Sequence, residues 1–501
     1  DAAERAAVTA EWLNQAKYPG STINEAWKRF IYHQFHDDLT GTSIPRAYEF
    51  SWNDELISLK QFSNVLTSSI HGIGRELDTR VSGIPVILYN ALGFTVTDIA
   101  EIELDLPKAP KGITVYDEKG KKVSAQLISC TDGKARILVE ATVPATGYVV
   151  YDVRTSGTGA SNISTNVNTL ENSLYKITLD KNGDIVSLTD KKNGKELVKA
   201  GKAIRLALFT QNKSYNWPAW EVLKETTDRT PVSITDDVKI TLVEDGTLRK
   251  SLCVEKRHGE SVFRQYIRLY EGSRAERIDF YNEIDWQSTN ALLKAEFPLN
   301  IENEKATYDL GIGSIQRGNN TETAYEVYAQ YWADLTDRDG SYGVSVMNDS
   351  KYGWDKPDNH TIRLTLLHTP ETRGGYAYQD HQDLGHHTFT YSLIPHQGAL
   401  DKPATVEKAE KLNQQLKAFR TEKHKGNAGK SFSFVASDNR NVLIKALKKA
   451  EETDEYVVRV YETEGRKAQR ATLTFAGEII SASEANGTEK TCLLYTSDAA
   501  D

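Results

Sequence analysis

The sequence is short of several things that would each have pointed to a class of protein. Cysteine is nearly absent, with only Cys130, Cys253 and Cys492 in 501 residues. So few and so scattered, they exclude a disulfide framework or a cysteine metal site and fit inert thiols, and they leave the cellular compartment open. No apolar run is long enough to cross a membrane. Basic charge is not in excess: 61 Lys and Arg face 70 Asp and Glu, a net charge of -9, so there is no electrostatic footprint for nucleic acid. No Gly-rich phosphate loop, Ser-His-Asp pattern or Cys-x-x-Cys pair rises above background. The start, DAAERAAVTAEWL, shows neither an initiator Met nor a signal peptide. It reads as helix interior, so the chain is expected to begin mid-domain. The last ten residues, CLLYTSDAAD, resemble a translated sequencing adapter and are set apart from the fold.

What is present is ordinary for a globular protein, 39% hydrophobic and 26% charged residues, and the length implies three or four domains. The patterning predicts a multidomain α + β chain, a three-helix bundle followed by antiparallel β-sandwich domains, one of them large. Residues 1–82 read as helical. Pro45 suits the first turn of a long third helix, along which Leu56, Leu59, Ser63, Leu66, Ile70, Ile73 and Leu77 keep bundle spacing. Over 83–155 the period drops to two, as where Ile102, Leu104 and Leu106 alternate with Glu101, Glu103 and Asp105, and a small sandwich is expected. Residues 156–168, rich in Ser, Thr, Gly and Asn, read as a linker. A large sandwich is expected over 169–420, opened by hairpin signals at Asn182-Gly183 and Asn193-Gly194. A truncated β-domain follows over 421–491, then the tail 492–501.

One stretch carries chemistry: residues 32–42, YHQFHDDLTGT. Thr22 and Glu25 fit a capping box and Gly41 a helix stop, with Trp27, Phe30, Ile31 and Phe35 forming an apolar stripe between them. At about 100° per residue, His36 falls nearly opposite that stripe. Asp37 and Asp38 then sit in a last turn, where the helix dipole disfavours carboxylates. A divalent cation would relieve that cost, and imidazole with carboxylate is a usual zinc ligand pair. Equally, His36 can be a solvated surface histidine beside ordinary acids. One His-Asp pair does not complete a metal shell, so spacing leaves both readings open.

The segment QFHDDLTGTS at 34–43 resembles the QFHD-x-LPGTS segment of the glycoside hydrolase family 38 α-mannosidases. The resemblance implies that His36 is the last ligand of a catalytic zinc and that Asp37 reaches the bound mannose. The chain departs from the pattern at Asp38, where an aliphatic residue is usual, and at Thr40, where proline is. Further resemblances follow in order: YDLGIGSIQR at 308–317, YEVYAQYWADL at 325–335 and YGVSVMNDSKYG at 342–353, with weaker ones in LYNALGF at 88–94 and VVRVYE at 457–462. They imply a zinc-dependent, retaining α-mannosidase of mannose-containing glycans. They also imply that nucleophile, acid/base and remaining zinc ligands lie in an N-terminal barrel-like domain outside this chain, against which the present residues pack. The chain alone is therefore expected to be inactive. Linkage preference, compartment and oligomeric state stay open. The alternative is a non-catalytic carbohydrate-binding sandwich assembly in which His36 is incidental.

Other candidates are weaker. In the loop 348–354, Asn348, Asp349 and Tyr352 suit a sugar-pocket rim, or equally a turn closing on its own backbone. His381, His386, His387 and His396 invite a metal, but strand alternation sends His386 and His387 to opposite faces. Trp217, Trp220 and Trp286 are expected in cores or between domains and not as sugar platforms. Asn162, Asn212 and Asn348 begin Asn-x-Ser/Thr triplets, which matter only in a secreted eukaryotic protein.

Overall fold

The computed structural model describes residues 1–156, 164–165, 167–467 and 470–490. Most of the expected linker 156–168, with Asn162, and the whole tail 492–501 lie outside the described residues. The architecture is mostly β, with antiparallel sheets and a helical N-terminal part. Among the described residues no helix is long and apolar enough to cross a membrane.

Three helices come first: α1 (Ala2–Trp12), α2 (Gly20–Tyr32) and α3 (Pro45–Glu76). Alanines at 3, 6, 7 and 10 let α1 be covered on nearly all sides, which a helix of bulkier residues would not allow. Rather than serving only a bundle, α1 is the post on which other parts hang. The buried Arg5 guanidinium donates to the carbonyls of Ala91 (2.8 Å), Ile444 (3.1 Å) and Lys445 (2.8 Å), tying α1 to two later domains. In α3 the expected apolar stripe splits. Ile70 and Ile73, with Leu77 just beyond, are fully buried against Ile87, Tyr89 and Tyr148, whereas Leu56 and Leu59 are exposed.

The small sandwich forms as the alternation implies, with Ile102, Leu104 and Leu106 buried and their acidic neighbours exposed. Its three-stranded sheet comprises Val96–Asp105, Ala125–Thr131 and Lys134–Val143. The facing sheet is built on Ile84–Asn90 and Gly147–Arg154 and recruits two late strands. Lys417–Arg420 pairs with Ile84–Asn90, and Ser431–Ser433 with Gly147–Arg154. The boundaries at 420 and 421 need correction accordingly: 417–433 returns to the small sandwich after the helix Lys402–Asn413. Composition cannot reveal a pairing between strands this far apart in sequence.

The large sandwich stacks a ten-stranded sheet on a six-stranded one, with a four-stranded sheet beside them. Phe263, Phe280, Trp286, Phe297, Trp354 and Tyr391 fill its core. Tyr175–Leu179 and Ile185–Asp190 pair across Asn182-Gly183, where Gly183 takes φ +72°. Beyond it, Val442–Lys449 and Tyr456–Glu462 form the main hairpin of the C-terminal part.

The two sandwiches are clamped by Arg274, whose guanidinium donates to Asp98 Oδ1 and to the Ile99 carbonyl, both at 2.6 Å. Next to it Asp279 accepts from Arg277 Nε (2.7 Å), Tyr270 Oη (2.8 Å) and Ser392 Oγ (2.6 Å). Burial pushes the Asp279 carboxyl up, but Arg277 and Arg274 outweigh it and hold its pKa at about 2. Removing one partner of such a buried pair is costly, so Arg274→Ala should lose about 3–5 kcal/mol in a chemical denaturation experiment. Because the folded pKa of Asp279 is depressed, its contribution is complete above the ordinary value of 3.8 and fades as pH falls toward about 2. Acid unfolding followed by circular dichroism should accordingly begin at higher pH in Arg274→Ala than in the unaltered protein. Coincident acid transitions would refute the clamp.

Candidate functional site

The helix carrying the site stretch ends sooner than the sequence suggests. α2 stops at Tyr32, with His33 as its C-cap, and residues 33–41 run on as successive turns. The capping box does not form either. The helix starts at Gly20 after Pro19, with no side-chain cap, and Glu25 instead accepts from Lys28 Nζ at 3.2 Å. The cause lies in the polar residues of the run. Asp, Ser and Thr side chains compete with the helix for backbone groups, and here they succeed.

Asp37 is the hub of the turn. Its carbonyl accepts from the amides of Thr42 (2.8 Å) and Ser43 (2.9 Å) and from Tyr48 Oη (3.2 Å). Its carboxylate accepts from Thr42 Oγ1 at 3.0 Å. Gly41, at φ +77°, closes the turn. The neighbouring Asp38 points inward, accepting from Ser43 Oγ and, at 3.0 Å, from Ser51 Oγ of α3. It also lies 2.9 Å from Nδ1 of His33, whose Nε2 is 3.2 Å from Asp54 Oδ2. The hydrogen bond from His33, then that from Ser43, lowers the pKa of Asp38. Burial opposes charge on His33, but its bonds to Asp38 and Asp54 prevail and raise its pKa.

This inward pairing turns the other two side chains out. The His36 side chain is 77% exposed against 5% for His33, and Asp37 is 32% exposed. His36 Nε2 and Asp37 Oδ2 stand 3.5 Å apart. The expectation that His36 faces away from the packed helices therefore holds, although a turn presents it and not a helix face. The expected apolar stripe packs only at Trp27, whose ring meets Phe62 at 5.3 Å. Phe30, Ile31 and Phe35 are exposed, and so are Leu39, Phe50 and Trp52 around them. So many large exposed apolar side chains on neighbouring segments mark an interaction surface.

Nitrogen and carboxylate donors side by side on a pinned turn fit part of a zinc shell, which usually has four ligands. Among the described residues no group of three or more His, Cys, Asp and Glu side chains could hold a metal ion, so a shell at His36 would need ligands from elsewhere. The sequence reading passed over His33. Its signal was Asp38, a departure that asks for a buried partner.

The other candidates stand apart from this turn. Asn348 is buried, with its amide donating to the Gln330 carbonyl (3.1 Å) and Oδ1 accepting from the amides of Ser350 (3.0 Å) and Lys351 (2.6 Å). Asp349 accepts from the Thr390 amide (3.0 Å) and Ser350 Oγ (2.8 Å), and burial raises its pKa. Tyr352 is exposed. The self-closing turn thus accounts for Asn348 and Asp349. The histidines go separate ways: His386 to Asp285 (2.7 Å), His387 to the Asp383 carbonyl (2.6 Å) and His396 to Asp334 (2.9 Å). Trp286 is buried as expected, but Trp217 and Trp220 are 50% and 63% exposed, contrary to expectation. They lie on loop turns whose backbone bonds, not ring burial, fix the chain.

Comparison with known proteins places the chain as a whole. Residues 170–372 match the model described as glycosyl hydrolases family 38 C-terminal domain, and 441–495 that of the family 38 C-terminal beta sandwich domain. Alpha-mannosidase G of Dictyostelium discoideum is 26% identical over 94% of this chain and 46% of its own length. An alpha-mannosidase of Saccharomyces cerevisiae is 26% identical over 90% of this chain and 38% of its own. The chain thus spans less than half the length of these curated relatives. The crystal structure of an alpha-mannosidase from Enterococcus faecalis shares the fold with a TM-score of 0.79, at 18% identity, over 94% of this chain and 61% of that one.

The network beneath the turn can be tested alone. Asp38→Ala leaves His33 short of a partner and should cost about 1–3 kcal/mol, with faster amide hydrogen exchange across 33–43. Replacing both partners by apolar groups can be nearly neutral, so the double variant His33→Leu, Asp38→Leu should recover part of that loss. Additive losses would show that the two side chains do not act as a pair.

Proposed function

This chain belongs to glycoside hydrolase family 38, and from that premise we propose that it is the central helical and C-terminal β part of a zinc-dependent, retaining α-mannosidase acting on terminal α-mannose of glycans. The observation that carries the proposal is the turn at 33–43, which turns His36 and Asp37 outward together while drawing Asp38 in against His33.

His36 would give one nitrogen to the zinc, and Asp37, pinned by Thr42, would accept a hydrogen bond from a mannose hydroxyl. Bound zinc supplies Lewis acidity to sugar hydroxyl oxygens. A retaining glycosidase also needs two carboxyl groups about 5–5.5 Å apart. Asp38 and Asp54 already bind His33, and in this reading Asp37 is taken by the sugar. The resemblance to family 38 in turn assigns nucleophile and acid/base to a part of the enzyme that these residues do not include. The same part is the natural cover for Phe35, Leu39, Phe50 and Trp52, since an apolar face beside an incomplete metal shell suits one partner that fills both needs.

Incubated with zinc and an aryl α-mannoside, the 501-residue chain should release no product above blank. A longer version carrying the preceding domain should turn the substrate over, and His36→Ala in it should lose both stoichiometric zinc and nearly all hydrolysis. Stoichiometric zinc retained by that variant would remove His36 from the shell.

A further inference from the structure

Far from His36 in sequence, two loops of the large sandwich meet in a cluster of four aromatic side chains, of which Trp217, Trp220 and Tyr378 are exposed and Tyr376 is half-buried between them. Trp217 and Trp220 come from the first loop, Tyr376 and Tyr378 from the second. Their rings form a chain of contacts: Trp220 to Trp217 at 6.0 Å, Trp217 to Tyr376 at 5.4 Å, and Tyr376 to Tyr378 at 6.4 Å between centroids. Tyr215 extends the strip, with the Arg373 guanidinium 5.6 Å from its ring. We propose that this strip is a binding platform for the sugar rings of a mannose-containing oligosaccharide, outside the His36 site.

The loops are built with their polarity reversed. Their hydrogen-bonding side chains point in: Glu221 accepts from Ser214 Oγ and the Tyr215 amide, both at 2.7 Å, and from the Asn216 amide at 3.1 Å. Buried Gln379 accepts from the Ala219 amide at 3.1 Å and so locks one loop to the other. The amides of Trp220 and Glu221 both bond the Trp217 carbonyl, closing the tip. None of these bonds needs an indole. The rings are left in water by a backbone that is already satisfied, so their own loops recover nothing from the apolar area exposed. A ligand that covers the rings recovers it.

Composition selects the ligand. The face around His36 mixes Phe, Leu, Ile and Trp, as a protein interface does, whereas the large exposed apolar side chains of these two loops, Tyr215, Trp217, Trp220 and Tyr378, are all aromatic. Flat ring faces bordered by a guanidinium and phenol hydroxyls match a sugar, whose C–H face is apolar and whose rim carries hydroxyls. A strip of several rings, and not one, calls for an oligosaccharide. The choice of a carbohydrate rests on the rings; the choice of mannose rests on the proposed function.

Titrating the 501-residue chain with an α-linked mannotriose should quench tryptophan fluorescence saturably, with calorimetry giving the same affinity and mannose itself binding more weakly. Trp217→Ala, Trp220→Ala should weaken binding at least tenfold without changing the thermal midpoint, while Trp52→Ala on the helical face should leave it unchanged. Equal binding by the double variant, or no saturable binding, would overturn the platform. So would sedimentation showing that the unaltered chain self-associates and the double variant does not. Binding of gluco- but not manno-oligosaccharides at these rings would overturn the mannose class alone. Hydrolysis of the aryl mannoside by the longer protein judges the family reaction separately.

Discussion

The pairing of Asp38 with His33 beneath the turn decides which way the neighbouring side chains face. An ionised carboxylate that has three partners inside the protein stays there, and Asp38 has His33, Ser43 and Ser51. With residue 38 committed inward, His36 and Asp37 are held on the outer side of the same turn. A turn, unlike a helix, can present two adjacent side chains to one point in space. The loss of helix after Tyr32 is therefore part of what makes the site.

Rigidity around the turn comes from elsewhere in the chain. Arg5 bonds carbonyls of the small sandwich and the C-terminal hairpin from one guanidinium, and Arg274 fastens the small sandwich to the large one. Arginine suits such posts because its planar fork serves several acceptors at once. Inside the large sandwich, buried Lys294 and Arg363 share Asp355, with Lys294 Nζ at 2.7 Å. These links make the β-domains a firm base for the helices that carry His36, which suits a site whose geometry must be held closely.

Much of this was legible beforehand. Alternation at 101–106, the Asn182-Gly183 hairpin and Pro45 at the head of α3 each express a local rule, and each appears where the residues placed it. What local rules could not show was pairing across the chain. Strand Lys417–Arg420 finds its partner in Ile84–Asn90, and no composition window spans that distance. The helix end was misjudged because Trp27, Phe30, Ile31 and Phe35 keep helical spacing, yet only Trp27 packs inward, against Phe62, while the other three face solvent: periodicity reports an apolar face without saying what covers it. Trp217 and Trp220 were misplaced for a related reason, since a large aromatic is usually buried unless its role requires otherwise. His36 and Asp37 emerged from resemblance, and His33 only from coordinates.

Two exposed surfaces of different chemistry thus remain on one chain, an aliphatic-aromatic face beside His36 and an aromatic strip on the large sandwich. The first bears the central claim, that His36 completes a metal centre shared with another part of the enzyme. X-ray diffraction at the zinc absorption edge from the longer protein tests it most directly. The account predicts an anomalous peak within bonding distance of a His36 ring nitrogen, about 2.0–2.1 Å, with Asp37 beside it and the face of Phe35 and Trp52 covered. A zinc peak elsewhere, with the His36 ring still in solvent, would contradict it.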